Sequence, residues 1–265
     1  YYKWMKINEV KARRLSLDEE IKAAFDQNKR RYGSPRLSNY LAKKGTGSKV
    51  SAATVARRMR VLKLVARAKR KFVSTTSSDH DLSVAPNLLA RNFMADRVNT
   101  VWVSDITYIP TDDGWRYLTV VLDLADRAVV GWVLSETMHA QCTVIPALEQ
   151  AIQRRRIRPN SGLMFHSDRG VQYACEEFCM ILRRYVITQS MSRKGNCWDN
   201  AVAESFFKTI KTEELGLGKL IKASSLNSLV FKYIEGWYNT QRIHSALNGL
   251  TPWEAFYEKT SKLAA

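Results

Sequence analysis

The 265-residue chain has only four cysteines, Cys142, Cys175, Cys179 and Cys197, with no C-x-x-C pair and no histidine spacing suited to zinc. They read as reduced thiols of an intracellular protein. No apolar run approaches the length of a bilayer span, and the N-terminus lacks the apolar stretch of a secretory signal. A cytoplasmic, nucleoid-associated protein without a membrane partner is the expectation. Internal repeats and low-complexity tracts are also missing, and a 45% apolar content excludes disorder throughout. Acids are scarce early: residues 1–78 carry 21 Lys+Arg and 5 Asp+Glu, a balance of +16, which leaves 21 and 20 for the rest. A basic third joined to a near-neutral body implies a nucleic-acid-gripping module attached to something with another task. The chain opens Tyr1-Tyr2 and its first methionine is Met5, which reads as the later part of a longer translation product.

Within the basic third, Ser16-Leu17-Asp18-Glu19 has the form of a capping box opening a helix to about Arg31. Ser34-Pro35 suits the start of a second helix ending near Gly45. A third starts at Ser51, with Val55, Met59 and Leu62 inward and Arg57 and Arg60 outward. Three short helices with an outward arginine pair suit a helix-turn-helix whose last helix enters a DNA groove; a plain three-helix bundle with solvated arginines is the competing reading. Lys69, Arg70 and Lys71 extend the basic track. The domain division expected is 1–73 helix-turn-helix, 74–98 linker and 99–265 catalytic core with a C-terminal helical extension.

From Val101 the pattern turns to strands: Val101 to Pro110, an Asp113-Gly114 turn, Trp115 to Leu124, then Val129 to Ser135. These make an antiparallel meander. A helix from about Cys142 to Arg156, a strand from Leu163 to Ser167, a helix near Ala174 to Tyr185 and a strand from Val186 to Ser190 follow. Last comes a helix carrying Glu204. This order reads as an α/β fold, one mixed five-stranded sheet with flanking helices, preceded by a small all-α domain.

Three acids then stand out. Asp105 ends the run Val101-Trp102-Val103-Ser104, Asp168 leaves the fourth strand, and Glu204 lies 35 residues beyond it among lysines. At about 100° per residue, Glu204, Lys208 and Lys211 share one face of their helix, while Val202, Phe206 and Ile210 share the other. Phosphodiester cleavage needs an activated nucleophile and a stabilised leaving oxygen, which two Mg²⁺ ions on carboxylates supply. Asp105 and Asp168 would meet if their strands were neighbours. Lys208 and Lys211 would meet a DNA phosphate. Asp123 and His166 are candidates for support behind the acids, although a turn role for Asp123 and a core role for His166 compete. Trp198, Trp237 and Tyr238 fit core positions better than base-stacking ones.

These residues carry a resemblance. The blocks are Trp102-Val103-Ser104-Asp105-Ile106-Thr107-Tyr108-Ile109, Phe165-His166-Ser167-Asp168-Arg169-Gly170-Val171-Gln172-Tyr173, the run from Gly195 to Lys208 containing Trp198-Asp199-Asn200 and Glu204, and the run from Tyr238 to Pro252. In that order they resemble bacterial insertion-sequence transposases with a DDE triad, of the insertion-sequence-three family, whose core is close to that of retroviral integrases. The resemblance implies a ribonuclease H-like core, with Asp105, Asp168 and Glu204 as the catalytic, metal-binding triad and Lys211 as the family's basic partner. It implies Mg²⁺, with Mn²⁺ as substitute and two ions, and a reaction in which water releases a 3′-hydroxyl that attacks a second phosphodiester. Double-stranded DNA, both element ends and target, is the implied substrate, and a homo-oligomer on DNA is expected because two ends are handled together. The family's active form is usually a frameshift fusion whose upstream part adds a second helix-turn-helix and a leucine zipper, neither visible here, so an upstream-frame partner or fusion is expected. The zinc-binding domain of retroviral integrases is also missing, which favours the bacterial branch. A DNA-binding regulator and a structure-selective nuclease are the rival readings.

Overall fold

The computed structural model describes residues 2–43, 50–66, 82–216 and 220–264. The chain divides into two compact units, Tyr1–Lys69 and Arg70–Ala265.

The first unit holds α1 (Tyr2–Gln27), α2 (Ser34–Lys43) and α3 (Ala52–Val61). Ile21, Ala24, Phe25, Leu37, Leu41, Val55 and Met59 are buried, an apolar seam at helical spacing on all three helices. Ser51 caps α3 as expected, accepting from the Thr54 N–H at 3.2 Å. Ser16 does not cap α1. The helix begins well upstream, leaving Ser16 exposed within it, and a hydroxyl caps only where the backbone before it is not helical. Asp18 serves tertiary structure instead: its Oδ1 accepts from Arg58 Nε at 2.6 Å, and a second bond to Arg58 Nη2 makes the pair bidentate. That bonding holds the Asp18 carboxyl below its ordinary range.

The second unit is built on β1 (Val101–Thr111), β2 (Gly114–Asp123), β3 (Val129–Ser135), β4 (Met164–Ser167) and β5 (Thr188–Met191), in spatial order β3-β2-β1-β4-β5. The meander β1-β2-β3 is antiparallel; β4 runs parallel to β1, and β5 parallel to β4. The β1-β2 turn centres on Asp112-Asp113, with Thr111 paired to Gly114, one residue earlier than expected. One face buries Trp102, Val121 and Phe165 against α4 (Val144–Arg155), α5 (Val171–Ala174) and α6 (Glu176–Tyr185). Gly131 lets α4 approach: a Cβ there would sit 2.1 Å from the Ala147 carbonyl oxygen. The other face takes α7 (Ala201–Ile210), which packs on β1 through Ala203, Phe206 and Ile210.

α7 runs on into a π-helical turn, Lys211–Leu215, where Glu213 is buried against Arg242 (3.0 Å) and the Tyr233 hydroxyl (2.9 Å). Those partners come from α8 (Ala223–Tyr233) and the loop before α9 (Pro252–Ala264). The strand expected at Val186 starts later: Val186 is the left-handed cap of α6, with φ at 55°. The described part of the region read as linker, residues 82–98, is also more structured than its composition suggests. Leu89 and Val98 are buried, and Met191 N donates to the Pro86 carbonyl at 3.3 Å along the edge of β5. No described helix is long and apolar enough to cross a membrane.

Candidate active site

Adjacent parallel strands place the first two acids. Val103 on β1 is the register partner of His166 on β4, and Asp105 and Asp168 each lie two residues beyond that pair. Neighbouring strands are about 4.8 Å apart, so the two carboxylates leave the sheet side by side. Asp105 Oδ1 accepts from the Ile106 N–H at 2.8 Å, and Asp168 Oδ1 accepts from the Gly170 N–H at 2.9 Å. A Cβ at Gly170 would lie 3.0 Å from Asp168 Oδ1, a tight contact with the carboxylate itself.

Glu204 approaches from the first turn of α7, half-buried. Burial and then the charge of Asp168 push the Asp105 carboxyl well above its ordinary range, with Glu204 adding to the push and Lys211 opposing it. Burial also raises Glu204. Lys211 donates to Thr107 Oγ1 at 2.6 Å, two residues along β1 from Asp105. Burial brings its ammonium down to about 8, against the pull of Asp105. Lys208, by contrast, is exposed.

Asp105 thus feels the charges of both Asp168 and Glu204. Among the described residues, no three Asp, Glu, His or Cys side chains are gathered closely enough to ligate one ion as they stand. The donor set is nonetheless the one a hard divalent cation prefers: carboxylate oxygens, with no soft ligand among them.

Beneath the acids lies a network that sequence reading gave no role. Alternation along β1 turns Ser104 to the face opposite Asp105, where its hydroxyl meets the Tyr173 hydroxyl at 2.8 Å. The Ser104 carbonyl accepts from Asn200 Nδ2 at 2.9 Å. The segments bearing Asp105, Asp168 and Glu204 are thereby tied through Ser104, Tyr173 and Asn200.

Asp199 is the second hub. Wholly buried, its carboxylate accepts from Arg193 Nε and Nη2 at 2.9 Å each, the Arg193 N–H at 3.0 Å, Arg91 Nε at 2.8 Å and Asn87 Nδ2 at 2.9 Å. The Arg193 side chain above all holds it far below the carboxylate range.

His166 is buried, and its ring nitrogens bond serines rather than the acids. Ser190 Oγ accepts from the Leu88 and Leu89 N–H groups at 2.9 and 3.2 Å, so its proton goes to His166 Nδ1 at 2.8 Å. The other ring nitrogen then donates to Ser192 Oγ at 3.2 Å. Burial lowers this imidazole to about 4 and keeps it neutral. Asp123 is likewise occupied elsewhere, accepting from the Asn99 and Ala125 N–H groups and from Trp102 Nε1 at 2.7, 2.9 and 3.2 Å. It pairs with Trp102 at the start of β1, three residues back from Asp105.

Arg57 and Arg60 are exposed on α3 as expected; Lys69, Arg70 and Lys71 lie outside the described residues. Trp237 and Tyr238 are buried, whereas Trp198, expected in the core, is 68% exposed. Its neighbours Asp199 and Asn200 fill the interior in its place. Cys142, Cys175 and Cys179 are free thiols.

Comparison with known proteins fits this arrangement. A family model described as integrase core domain matches residues 95–197, a second so described matches 185–252, and an HTH-like domain model matches 11–72. The chain is 43% identical over 246 residues to transposase InsF for insertion sequence IS3A of Escherichia coli (strain K12), covering 93% of this chain and 83% of that protein. It is 40% identical over 268 residues to the insertion element IS600 uncharacterized 31 kDa protein of Shigella sonnei, covering 100% and 96%. Among solved structures, the HTLV-2 integrase catalytic core domain in complex with magnesium (trimeric form) is 19% identical, covers 60% of this chain and 97% of its own, and gives a TM-score of 0.44.

Proposed function

Because the chain belongs to the insertion-sequence transposases, whose catalytic half is an integrase core, we propose that Asp105, Asp168 and Glu204 form its metal-binding catalytic triad. The observation that carries this reading is the placement of Asp105 and Asp168 two residues past one register pair of adjacent parallel strands, with Glu204 adding charge at Asp105. Two Mg²⁺ ions, replaceable by Mn²⁺, would be held by the three carboxylates; when bound they supply an activated oxygen nucleophile and stabilisation of the leaving oxygen. The protein's own part is positional. Asn200, Ser104 and Tyr173 fix the acid-bearing segments, and Lys211, held by Thr107, supplies a fixed positive charge beside Asp105. Lys208 faces solvent on the same helix, where a DNA phosphate would lie.

The chain is a DNA transposase with an HTH-like DNA-binding region. Its arginines Arg57 and Arg60, with Lys69, Arg70 and Lys71, contact the element ends, while the core cuts and joins strands. The working form is a homo-oligomer on DNA, with an upstream-frame product as partner or fusion, acting at the bacterial nucleoid. The division of labour is residues 1–73 for DNA binding and 99–265, braced by residues 87–91, for catalysis.

The test is incubation of the full chain with duplexes carrying the terminal repeats of its own element, with Mg²⁺ or Mn²⁺. Release of a 3′-hydroxyl and strand joining are expected, both abolished in Asp105→Asn, Asp168→Asn and Glu204→Gln. Wild-type rates in Glu204→Gln would remove that residue from the triad.

A further inference from the structure

Among the described residues Trp198 is one of several aromatic side chains that the core leaves exposed, with Trp115, Phe231 and Tyr257. Its indole is 68% exposed, yet the next two residues, Asp199 and Asn200, are buried and held by the hydrogen bonds described above. A single exposed apolar residue is ordinary on a protein surface. What sets this one apart is its place beside a basic loop, on a backbone fixed on its C-terminal side, which lowers the ordering cost of binding. It lies six residues before Glu204, in the 3₁₀ turn Cys197–Asn200 that leads into α7.

The surrounding charge indicates the partner. Arg193 and Arg91 bond Asp199, Arg169 Nε donates to the Ser192 carbonyl at 2.6 Å, and Lys194 lies in the same loop. Four cations thus sit on or against residues 192–199, two of them, Arg193 and Arg91, bonded to the Asp199 carboxylate. Their excess positive charge suits phosphates, and the indole face suits a base. A cationic track with an aromatic platform is how single-stranded nucleic acid is gripped without regard to sequence. A base stacks on an open platform only when freed from its duplex.

From this we infer that Trp198 stacks on an unpaired base at a splayed DNA end, with the cations of the 192–199 loop holding the adjoining backbone. The inference rests on the transposase reading for its ligand but not on metal chemistry. It therefore assigns this loop a binding task separable from catalysis.

The test uses the full chain in EDTA and two fluorescent duplexes of one arbitrary sequence, one fully paired and one with its last three base pairs mismatched. Anisotropy is expected to show about tenfold tighter binding of the splayed duplex, the scale of stacking one base on an aromatic ring. Trp198→Ala should lose that preference while binding the paired duplex as before and keeping the wild-type near-ultraviolet circular dichroism, which reports that the core folds. Trp198→Phe should keep most of it. The inference is overturned if the wild type shows no preference, if Trp198→Ala retains it, or if that variant alters only the oligomeric state, which would make the ring a contact between copies. Splayed-end preference without Mg²⁺-dependent cleavage would leave this inference standing and sink the proposed triad; cleavage without the preference would do the reverse.

Discussion

The Asn200 amide nitrogen donates to the Ser104 carbonyl at 2.9 Å, so the residue before the Glu204 helix is fastened to the residue before Asp105. A carboxylate on a helix and one on a strand hold a common geometry only if helix and strand are locked together. Asn200→Ala removes the donor without touching either acid. Single-turnover cleavage is expected to fall about 100-fold, the typical cost of a misplacement near 1 Å, with affinity for DNA unchanged. Equal losses in binding and cleavage would make the contact merely structural.

Gly131 is a packing requirement of the core. A methyl there would meet the Ala147 carbonyl oxygen at 2.1 Å and Ala151 Cβ at 3.0 Å, both on α4. Backbone cannot yield as a side-chain tip can. Gly131→Ala should lower stability by about 2–3 kcal/mol, read from the urea midpoint of unfolding.

Asp126 should give stability a pH dependence. It is buried beside Asp123, with Arg155 Nη2 at 2.6 Å from its Oδ2 and Arg127 nearby, so two carboxylates share mainly one guanidinium. Burial, then Asp123, pushes the Asp126 carboxyl up to about 7. The folded chain therefore binds this proton more tightly than the unfolded chain does, and this contribution is fully present below pH about 4 and lost as pH rises through about 7. Melting temperature measured from pH 5 to pH 8 should fall more steeply in the wild type than in Asp126→Asn. Parallel profiles would show that the site does not titrate in this window.

Val186 carries backbone strain. It is exposed, β-branched, and held at φ 55° as the cap of α6, a region costing an L-residue about 1–2 kcal/mol. Val186→Gly should raise stability by about 1 kcal/mol in chemical denaturation. A loss of stability would show that the valine side chain contributes packing that outweighs the strain.

Much of this was legible because it is local. Alternating apolar residues from Val101 to Ser135 announce the meander, Ser51 announces α3, and Asp105, Asp168 and Glu204 stand out among basic and apolar neighbours. What escaped depends on partners far along the chain. Ser16 has the form of a cap, but a cap exists only if the chain before it leaves the helix, which the motif itself does not specify. Val186 has strand propensity, yet tertiary context makes it a helix cap. Asp199 looks like one more polar loop residue until Asn87, 112 residues upstream, and Arg91 arrive beside it. Trp198 has the composition of a core residue, and only the burial of its two successors turns it outward.

The fastening of residues 86–91 to Asp199 and to Ser190 bears on how this protein is divided. Composition invites a cut at Asn99, where regular structure begins, but a fragment so made would forfeit two of the anchors of its own Asp199 loop. The separable piece begins further upstream. What resembles a tether between two modules is, over its second half, masonry of the one that cuts DNA.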